Sequence, residues 1–332
     1  KPVDDPIRKR MRERRRDASK SILNLDPPDH TRLCRLVSKA FTPSAIEMLR
    51  PTVQHYVDEA LQSADLRVRN GGTFELIDDV AFPVPFLVIS AMLGMPIERA
   101  EELRDWSQVI TRTLEPTVGM DDIEQADAAF AQLLPFLDEV IAERRTNLGI
   151  DMLSSLISAE ESGDKLTAEE LVTFVVLLYI AGHETTVNLI GNSMLALLRA
   201  PDELAYARQH GLSPNAIDEL LRFDGPVQHT VRIPLKPVQY EAQGKTFTIE
   251  PGTVVLTSLG AANHDPAVFE SPHELRLDRP NSHRHMAFAS GIHYCLGSAL
   301  AKLETEVAVG TLFQRFPNMS IVGTPSWRDR LT

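Results

Sequence analysis

One cysteine near the end of the chain lies in a short segment that combines glycines, aromatic residues and the start of a predicted helix. The segment reads H-M-A-F-A-S-G-I-H-Y-C-L-G from His285 to Gly297 and continues into S-A-L-A-K-L-E. A Cys295 thiolate at a helix start gains from the helix dipole and from free backbone N–H groups, as a strongly donating sulfur ligand requires. Gly291 and Gly297 permit close backbone approaches, and Phe288 can cover the sulfur against water.

A second segment, A-G-H-E-T-T at residues 181–186, interrupts an apolar run that extends from Leu171 to Leu198. The run predicts one long buried helix. Glycine and threonine weaken a helix interior, and a buried carboxylate is costly unless it is paired, hydrated or used. The interruption therefore indicates either a functional site or a bent helix whose polar residues face an interface.

Two arginine motifs lie between these segments along the chain, E-L-L-R at 219–222 and D-R-P at 278–280. Glu219 and Arg222 share a helix face, and an arginine fork suits a carboxylate. Such pairs are also common on solvated helices, where they contribute little. The order of the motifs is therefore more informative than this pair alone.

In this order the motifs resemble those of the cytochrome P-450 family, the haem-thiolate monooxygenases. The family's cysteine loop follows F-x-x-G-x-x-x-C-x-G, and its oxygen-side helix follows (A/G)-G-x-(D/E)-T. The first pattern is filled by Phe288, Gly291, Cys295 and Gly297, and the second by residues 181–185. The resemblance implies haem b as the cofactor, with Cys295 as the axial ligand of its iron. The alternative is an ordinary buried thiol.

The resemblance also assigns roles to the other motifs. Ala181 and Gly182 leave room for dioxygen. Thr185 hydrogen-bonds to the activated oxygen and Glu184 relays protons through water, and an alcohol beside an acid suits a reaction that must protonate one oxygen twice. Beneath the haem, a buried network holds the cysteine loop; its members are Glu219, Arg222 and Arg279.

The haem propionates need cationic or hydrogen-bonding partners. By resemblance the candidates are His30, Arg232 and His293. The segment around His30 departs from the family's H-x-x-x-R motif, because Cys34 occupies the arginine position and Arg35 is rotated about 100 degrees around the helix. Either Arg32 or Arg35 compensates, or the haem is held with one cation fewer. We interpret Cys34 as a small core or pocket residue.

Six further positions match residues that face the substrate in the family. They are Leu177, Leu178, Val227, Gln228, His229 and Thr230. Mostly apolar with a few polar groups, they suit a lipid, terpenoid, steroid or polyketide-like small molecule. The alternative for the leucines is packing in the core.

Composition sets limits on the class of protein. The chain has 332 residues, is 43% hydrophobic and has a formal net charge of −12, which argues against general nucleic-acid binding. The basic run Arg8 to Arg16 is either a docking patch for an acidic partner or a solvated helix. The longest apolar run, Leu171 to Ile180, is about half of the ~20 residues that a membrane span needs, and no secretory signal is visible. These features favour a cytoplasmic protein.

The expected architecture is mainly α with a small β region, as one haem-binding domain over residues 1–332 and with the haem between the central helix and the cysteine loop. Helices are predicted from about residue 30 to 223, with breaks near Pro43, Pro96, Pro116, Gly149 and Gly163. A hairpin is predicted to turn at Gln243-Gly244. Compared with the family, the chain lacks part of the N-terminal β region and a C-terminal hairpin, so sheet edges could favour self-association.

The sequence therefore predicts a haem-dependent monooxygenase of the soluble bacterial type. No G-x-G-x-x-G fingerprint is present, so electrons are expected from an external ferredoxin or flavodoxin with its reductase. The partner is expected to dock on the thiolate side, near Arg284, His285 and Lys302. The alternatives are a haem-binding protein without turnover, a peroxide-driven hydroxylase, which the acid-alcohol pair disfavours, and a zinc site, which lacks paired ligand spacing.

Overall fold

The computed structural model describes residue 10 and residues 21–114, 118–161, 166–242 and 244–327. Within these residues the α-helices are α1 (Asp29–Val37), α2 (Pro43–Glu47), α3 (Arg50–Arg69), α4 (Pro83–Leu93), α5 (Ala100–Thr111), α6 (Met120–Thr146), α7 (Met152–Glu161), α8 (Ala168–Arg199), α9 (Pro201–His210), α10 (Pro214–Asp224), α11 (Leu259–Asn263) and α12 (Ser298–Arg315). Helices thus dominate the described chain, as the sequence predicts.

The longest helix, α8, forms the centre of the fold. It begins with a capping box, in which the Thr167 hydroxyl accepts the Glu170 N–H at 3.1 Å and the Glu170 carboxylate accepts the Thr167 N–H at 2.7 Å. It ends just before Pro201, which cannot donate a helix hydrogen bond. Because α8 is apolar on several sides, it packs against α4, α10 and α12 together. The predicted long buried helix is confirmed.

The predicted breaks hold where the structure describes them. Pro43 begins α2 behind the Thr42 cap, and Pro96 and Gly149 lie between helices. Positions 116 and 163 lie outside the described residues. A proline does not always end a helix in this protein, since α6 continues through Pro135. Buried neighbours such as Phe136 stabilise the helix at this point.

The β region consists of β1 (His229–Arg232), β2 (Val238–Ala242), β3 (Lys245–Ile249) and β4 (Val255–Ser258). Among the described residues, β1 pairs with β4 and β2 with β3, both antiparallel. The hairpin of β2 and β3 is confirmed; Gly244 adopts φ 69° in its turn, and residue 243 is outside the described chain. Both ribbons expose apolar side chains on their faces.

By length and composition, α8 could cross a membrane, because its 32 residues include a window of mean hydropathy 1.3. The helix is longer than the run Leu171 to Ile180 on which the expectation of no membrane span was based, because it extends beyond that run in both directions. In the structure 56% of that window is buried, as in the core helix of a globular protein.

Candidate active site

The middle of α8 opens on one side, although most of the helix is buried. Ala181 is exposed, and Gly182 and Thr185 are half-buried. The Thr185 hydroxyl donates to the Ala181 carbonyl at 2.9 Å, which places the hydroxyl along this open face. A Cβ at Gly182 would lie 3.5 Å from Ile89 Cδ1 on α4. Gly182 therefore faces α4, and the helix opens at Ala181.

Next to this opening, His183 and Glu184 are buried. His183 Nδ1 lies 2.5 Å from the Tyr179 carbonyl oxygen, and its Nε2 lies 3.9 Å from Glu184 Oε2. Burial lowers the pKa of His183 more than the Tyr179 carbonyl and Glu184 raise it. The predicted proton-relay acid therefore has a neutral imidazole beside it. The sequence analysis did not assign a role to His183.

Glu304 on α12 is a second buried acid that the sequence analysis missed. Its side chain is 1% exposed and is hydrogen-bonded to Thr186 on α8. Burial raises the pKa of Glu304 to about 8, and the bond to Thr186 opposes this only in part. The helical spacing of Glu304 with Leu300 and Val307, which are buried on the same helix, is the signal that could have located it.

The cysteine loop is held by its own backbone. The Cys295 N–H donates to the Phe288 carbonyl at 3.1 Å, and α12 begins three residues after the cysteine, at Ser298. Ala289 and Gly291 adopt positive φ angles of 56° and 75°, which lets the chain turn between Phe288 and Cys295. The predicted loop before a helix start is present.

The residues around Cys295 fit a planar iron-binding cofactor. The cysteine is exposed, yet surrounding protein raises the pKa of its thiol, and the hydrogen bond from the Gly297 backbone N–H opposes that rise. A Cβ at Gly297 would meet no atom within 4 Å, so no side chain obstructs the surface beside the sulfur. Phe288 is buried beneath the loop. The site thus offers iron one accessible sulfur ligand, and a backbone N–H beside it can donate a hydrogen bond to that sulfur.

The three predicted propionate partners lie within electrostatic range of one another. The rings of His30, on α1, and His293, in the cysteine loop, meet edge to face with centroids 4.4 Å apart. Burial lowers the pKa of His293, and the charges of His30 and Arg232 lower it further. Segments that are far apart in sequence therefore form one basic cluster, which suits anionic groups.

Cys34 occupies the position one turn beyond His30 and contacts it. Its sulfur lies 3.3 Å from His30 Nε2, and burial raises the pKa of the thiol. Arg32 forms an ion pair with Glu170 at the start of α8. The two cysteines are not joined, as expected.

Glu219, Arg222 and Arg279 form the predicted buried network. Their side chains are at most 2% exposed. The Glu219 carboxylate accepts two hydrogen bonds from Arg222, at 2.7 and 2.8 Å, and one bifurcated hydrogen bond from Arg279 Nε, with both carboxylate oxygens at 3.0 Å. A single buried acid thus pairs with both guanidiniums, and the network keeps a net positive charge.

The remaining N–H groups of the network bind backbone carbonyls of the segment before the cysteine loop. Arg222 donates to the carbonyls of Asn263, Pro272 and Glu274. Arg279 donates to those of Glu270, Ser271 and Glu274. Asn263 in turn accepts the Met286 N–H through its side chain at 2.6 Å. The network therefore fixes an irregular segment that leads into the loop.

The predicted substrate residues divide into two groups. Leu177 and Leu178 lie half-buried on α8 near the opening, and residues 227–230 lie half-buried before and within β1. The Gln228 amide donates to the Gly225 carbonyl at 2.6 Å, and the Thr230 hydroxyl lies 2.6 Å from Thr257 Oγ1. These two side chains each form a hydrogen bond with protein atoms and are still partly accessible. All six residues stay candidates for the substrate pocket.

Comparison with known proteins identifies the family. The family model for cytochrome P-450 matches residues 1–210 and 212–322. The chain is 42% identical over 317 residues to cytochrome P-450 107B1 of Saccharopolyspora erythraea, covering 94% of this chain and 74% of that protein. It is 39% identical over 308 residues to the cytochrome P-450 monooxygenase PikC of Streptomyces venezuelae, covering 92% and 71%.

Solved structures agree with this match. The crystal structure of P-450BioI in complex with hexadec-9Z-enoic acid ligated acyl carrier protein has a TM-score of 0.88 and 35% identity, and the match covers 95% of this chain and 80% of that one. The structure of CYP164A2 of Mycobacterium smegmatis in its ligand-free state has a TM-score of 0.86 and 39% identity, covering 96% and 81%.

The chain therefore belongs to the cytochrome P-450 family, of the bacterial type. It is a haem-dependent monooxygenase, with haem b bound through a cysteine thiolate. The alternative of a haem-binding protein without turnover is not favoured by these relatives. Among the described residues, no group of three or more His, Cys, Asp or Glu side chains is arranged to hold a metal ion, which leaves the zinc alternative without support.

Proposed function

We propose that Cys295 is the thiolate ligand and that the enzyme inserts one atom of dioxygen into a C–H bond of an apolar small molecule. The single observation that supports this most is the accessible Cys295 sulfur, which has the Gly297 N–H beside it. α12 follows directly and packs against α8, whose open face includes Ala181. When bound, the haem supplies the activation of dioxygen and the oxidation of substrate.

The residues of this chain would position that chemistry and supply protons. Thr185 is the hydroxyl nearest to the opening at Ala181, and Glu184 is the adjacent acid. We assign Thr185 to hold a proton donor at the open face and Glu184 to replenish it through water. His30, Arg232 and His293 would bind the two propionates, because they form one basic cluster.

The substrate is proposed to be an apolar molecule. The residues that would contact it are Leu177, Leu178, Val227, Gln228, His229 and Thr230. The relatives solved with an acyl carrier protein ligated to hexadec-9Z-enoic acid or with epothilone B are consistent with lipid-like or polyketide-like ligands. We further propose that the chain forms one haem-binding domain and acts in the cytoplasm. Bacterial members of the family take electrons from ferredoxin and reductase partners, and an external ferredoxin or flavodoxin with its reductase is proposed here.

The test is the Soret band of the reduced carbon monoxide complex. A thiolate ligand places this band far to the red of the band of histidine-ligated haem. We expect the purified protein to show the red-shifted band, Cys295→Ser to abolish it and Cys34→Ser, as matched control, to preserve it. A protein that takes up haem without the red-shifted band, or a Cys295→Ser variant that keeps it, contradicts the assignment.

A further inference from the structure

Asp218 on α10 joins the two ends of the cysteine loop. Its Oδ1 lies 3.4 Å from His285 Nε2 and 2.5 Å from Lys302 Nζ. His285 precedes Cys295 by ten residues, and Lys302 follows it by seven, in α12. The His285 and Asp218 side chains are only 5% and 12% exposed. One carboxylate thus connects α10, the entrance of the loop and the helix after it. We call Asp218, His285 and Lys302 the loop clamp.

His285 makes a different hydrogen bond with each ring nitrogen. Its Nδ1 accepts the Ala287 N–H at 3.1 Å. Because this bond uses the lone pair of Nδ1, the ring proton of the neutral imidazole is on Nε2, from which it is donated to Asp218. The imidazole therefore fixes the backbone at Ala287 and ties it to α10 at the same time.

The loop clamp also surrounds Phe288. The His285 ring meets the Phe288 ring edge to face, with centroids 5.6 Å apart, and Lys302 Nζ lies 5.8 Å from the Phe288 centroid. Since the Phe288 carbonyl accepts the Cys295 N–H, a movement of Phe288 would displace the backbone of Cys295. The clamp therefore acts on the sulfur through one intervening residue.

The ionisable groups of the loop clamp interact with one another, because His285 and Lys302 both contact Asp218. Burial raises the pKa of Asp218, but the hydrogen bonds to His285 and Lys302 outweigh burial and lower it below its usual range, so the carboxylate is ionised at neutral pH. His285 and Lys302, which are expected to serve as docking charges on the thiolate side, both contact Asp218, and that docking role stays a prediction. Of the three residues expected there, Arg284 is exposed.

We propose that the loop clamp is a set of positioning residues, which hold Phe288 and Cys295 in the geometry that haem ligation requires. The inference rests on the proposed role of Cys295 as the ligand. It predicts that loss of the clamp destabilises the iron–sulfur bond while the rest of the fold persists. The clamp differs from the Glu219 network, which binds the segment before the loop rather than the loop itself.

The experiment compares haem-loaded variants. We measure how fast the red-shifted Soret band of the reduced carbon monoxide complex converts to the band of haem without thiolate, together with the reduction potential and the far-ultraviolet helix signal. For His285→Phe we expect conversion about tenfold faster than in the wild type, a shifted potential and an unchanged helix signal. His285→Gln, whose amide can still donate to Asp218, should recover part of the loss.

Two further variants keep the test decisive. Lys302→Gln removes one contact of the loop clamp at a side chain that is 32% exposed, so this variant should fold even if His285→Phe does not. Its red-shifted Soret band should also convert faster than that of the wild type. His283→Phe changes an exposed histidine two residues away and should leave the rate unchanged. Wild-type rates in both His285→Phe and Lys302→Gln, or equal rates for His285→Gln and His285→Phe, would overturn the proposal. Absence of the red-shifted band in the wild type would instead overturn the assignment of Cys295.

Discussion

Thr185 and Thr186 are adjacent, but their hydroxyl groups serve different parts of the molecule. Thr185 lies at the open face of α8, whereas Thr186 is buried and bonded to Glu304. Neighbouring helix residues point about 100 degrees apart, so one side chain reaches the reaction site and the other reaches α12. The pair therefore provides its own control for the proposed proton supply.

We predict that Thr185→Val lowers the yield of oxygenated product per electron supplied about tenfold or more, because the proposed proton donor is lost. Thr186→Val should leave this yield close to that of the wild type. The measurement is product formed against NAD(P)H and oxygen consumed, with a supplied ferredoxin and reductase. Equal yields in the two variants would contradict the role of Thr185.

Glu304 makes the stability of the protein depend on pH. Burial raises its pKa to about 8 in the folded state, above the usual carboxyl value. The folded state therefore holds a proton that the unfolded state has released, and stability falls as pH rises between about 4.5 and 8. Integrated from pH 4.5 to 8, the decrease in the free energy of unfolding amounts to about 5 kcal/mol at most. Below pH 4.5 Glu304 causes no such decrease.

Glu304→Gln removes this ionisation but preserves the shape of the side chain. We predict that the variant gains stability relative to the wild type as pH rises from 5 to 8. Urea unfolding midpoints measured at both pH values check this, with a change at an exposed glutamate, Glu101→Gln, as the matched control. A difference between Glu304→Gln and wild type that does not change with pH would show that Glu304 is ionised inside the folded protein.

At the scale of elements, α10 organises the surroundings of the cysteine loop through two neighbouring acids. Glu219 binds the two arginines, and Asp218 closes the loop clamp. One turn of one helix thus sets the position of the segment before the loop and of the loop itself. Helix α8 packs directly on α10, so the open face at Ala181 and the cysteine loop share a common support.

We predict that Glu219→Gln lowers the free energy of unfolding by about 3–5 kcal/mol, because two buried guanidiniums lose their counter-charge. Haem retention should fall with it, since the segment before the loop is no longer fixed. Urea unfolding and the haem content of the purified protein measure the two effects. Unchanged values of both would mean that the carbonyl groups alone satisfy the arginines.

At the scale of the whole molecule, the two β ribbons leave apolar side chains in solvent. Val231 and Leu256 are cross-strand partners and are 46% and 58% exposed, and Tyr240 stacks on Phe247 with both rings exposed. Two-stranded ribbons with uncovered faces and edges are prone to association. The expected self-association would therefore use this region.

We predict that the double variant Val231→Thr and Leu256→Thr reduces concentration-dependent association, because it removes the apolar pair while placing β-branched threonines, which suit strands, at both positions. Sedimentation velocity at several protein concentrations is the measurement. Thr230→Val on the same strand, which adds apolar surface, should act in the opposite direction. Identical sedimentation of all three proteins would exclude the ribbons as the contact.

The sequence was sufficient for residues whose role follows from motif spacing, and it failed for those defined by contacts between distant segments. Cys295, its glycines and the Glu219 network lie in the expected places because loop and helix geometry are local. Glu304 and Asp218 were missed, since their partners come from distant parts of the chain. The hydrogen bond from the Gln228 amide to Gly225 could not be foreseen for a related reason, since only the folded chain shows this contact.

The arginine network has a consequence for the stretch between Asn263 and Ser298. Within the described residues this stretch contains only turns and short 3-10 segments, a composition that usually marks a site of proteolytic nicking. Six hydrogen bonds from Arg222 and Arg279 are accepted by backbone carbonyls at the start of this stretch. A protease must bind the chain in an extended form, which would require these hydrogen bonds to the two buried guanidiniums to break. We therefore expect limited proteolysis to spare the start of this stretch, although it contains no regular helix or strand.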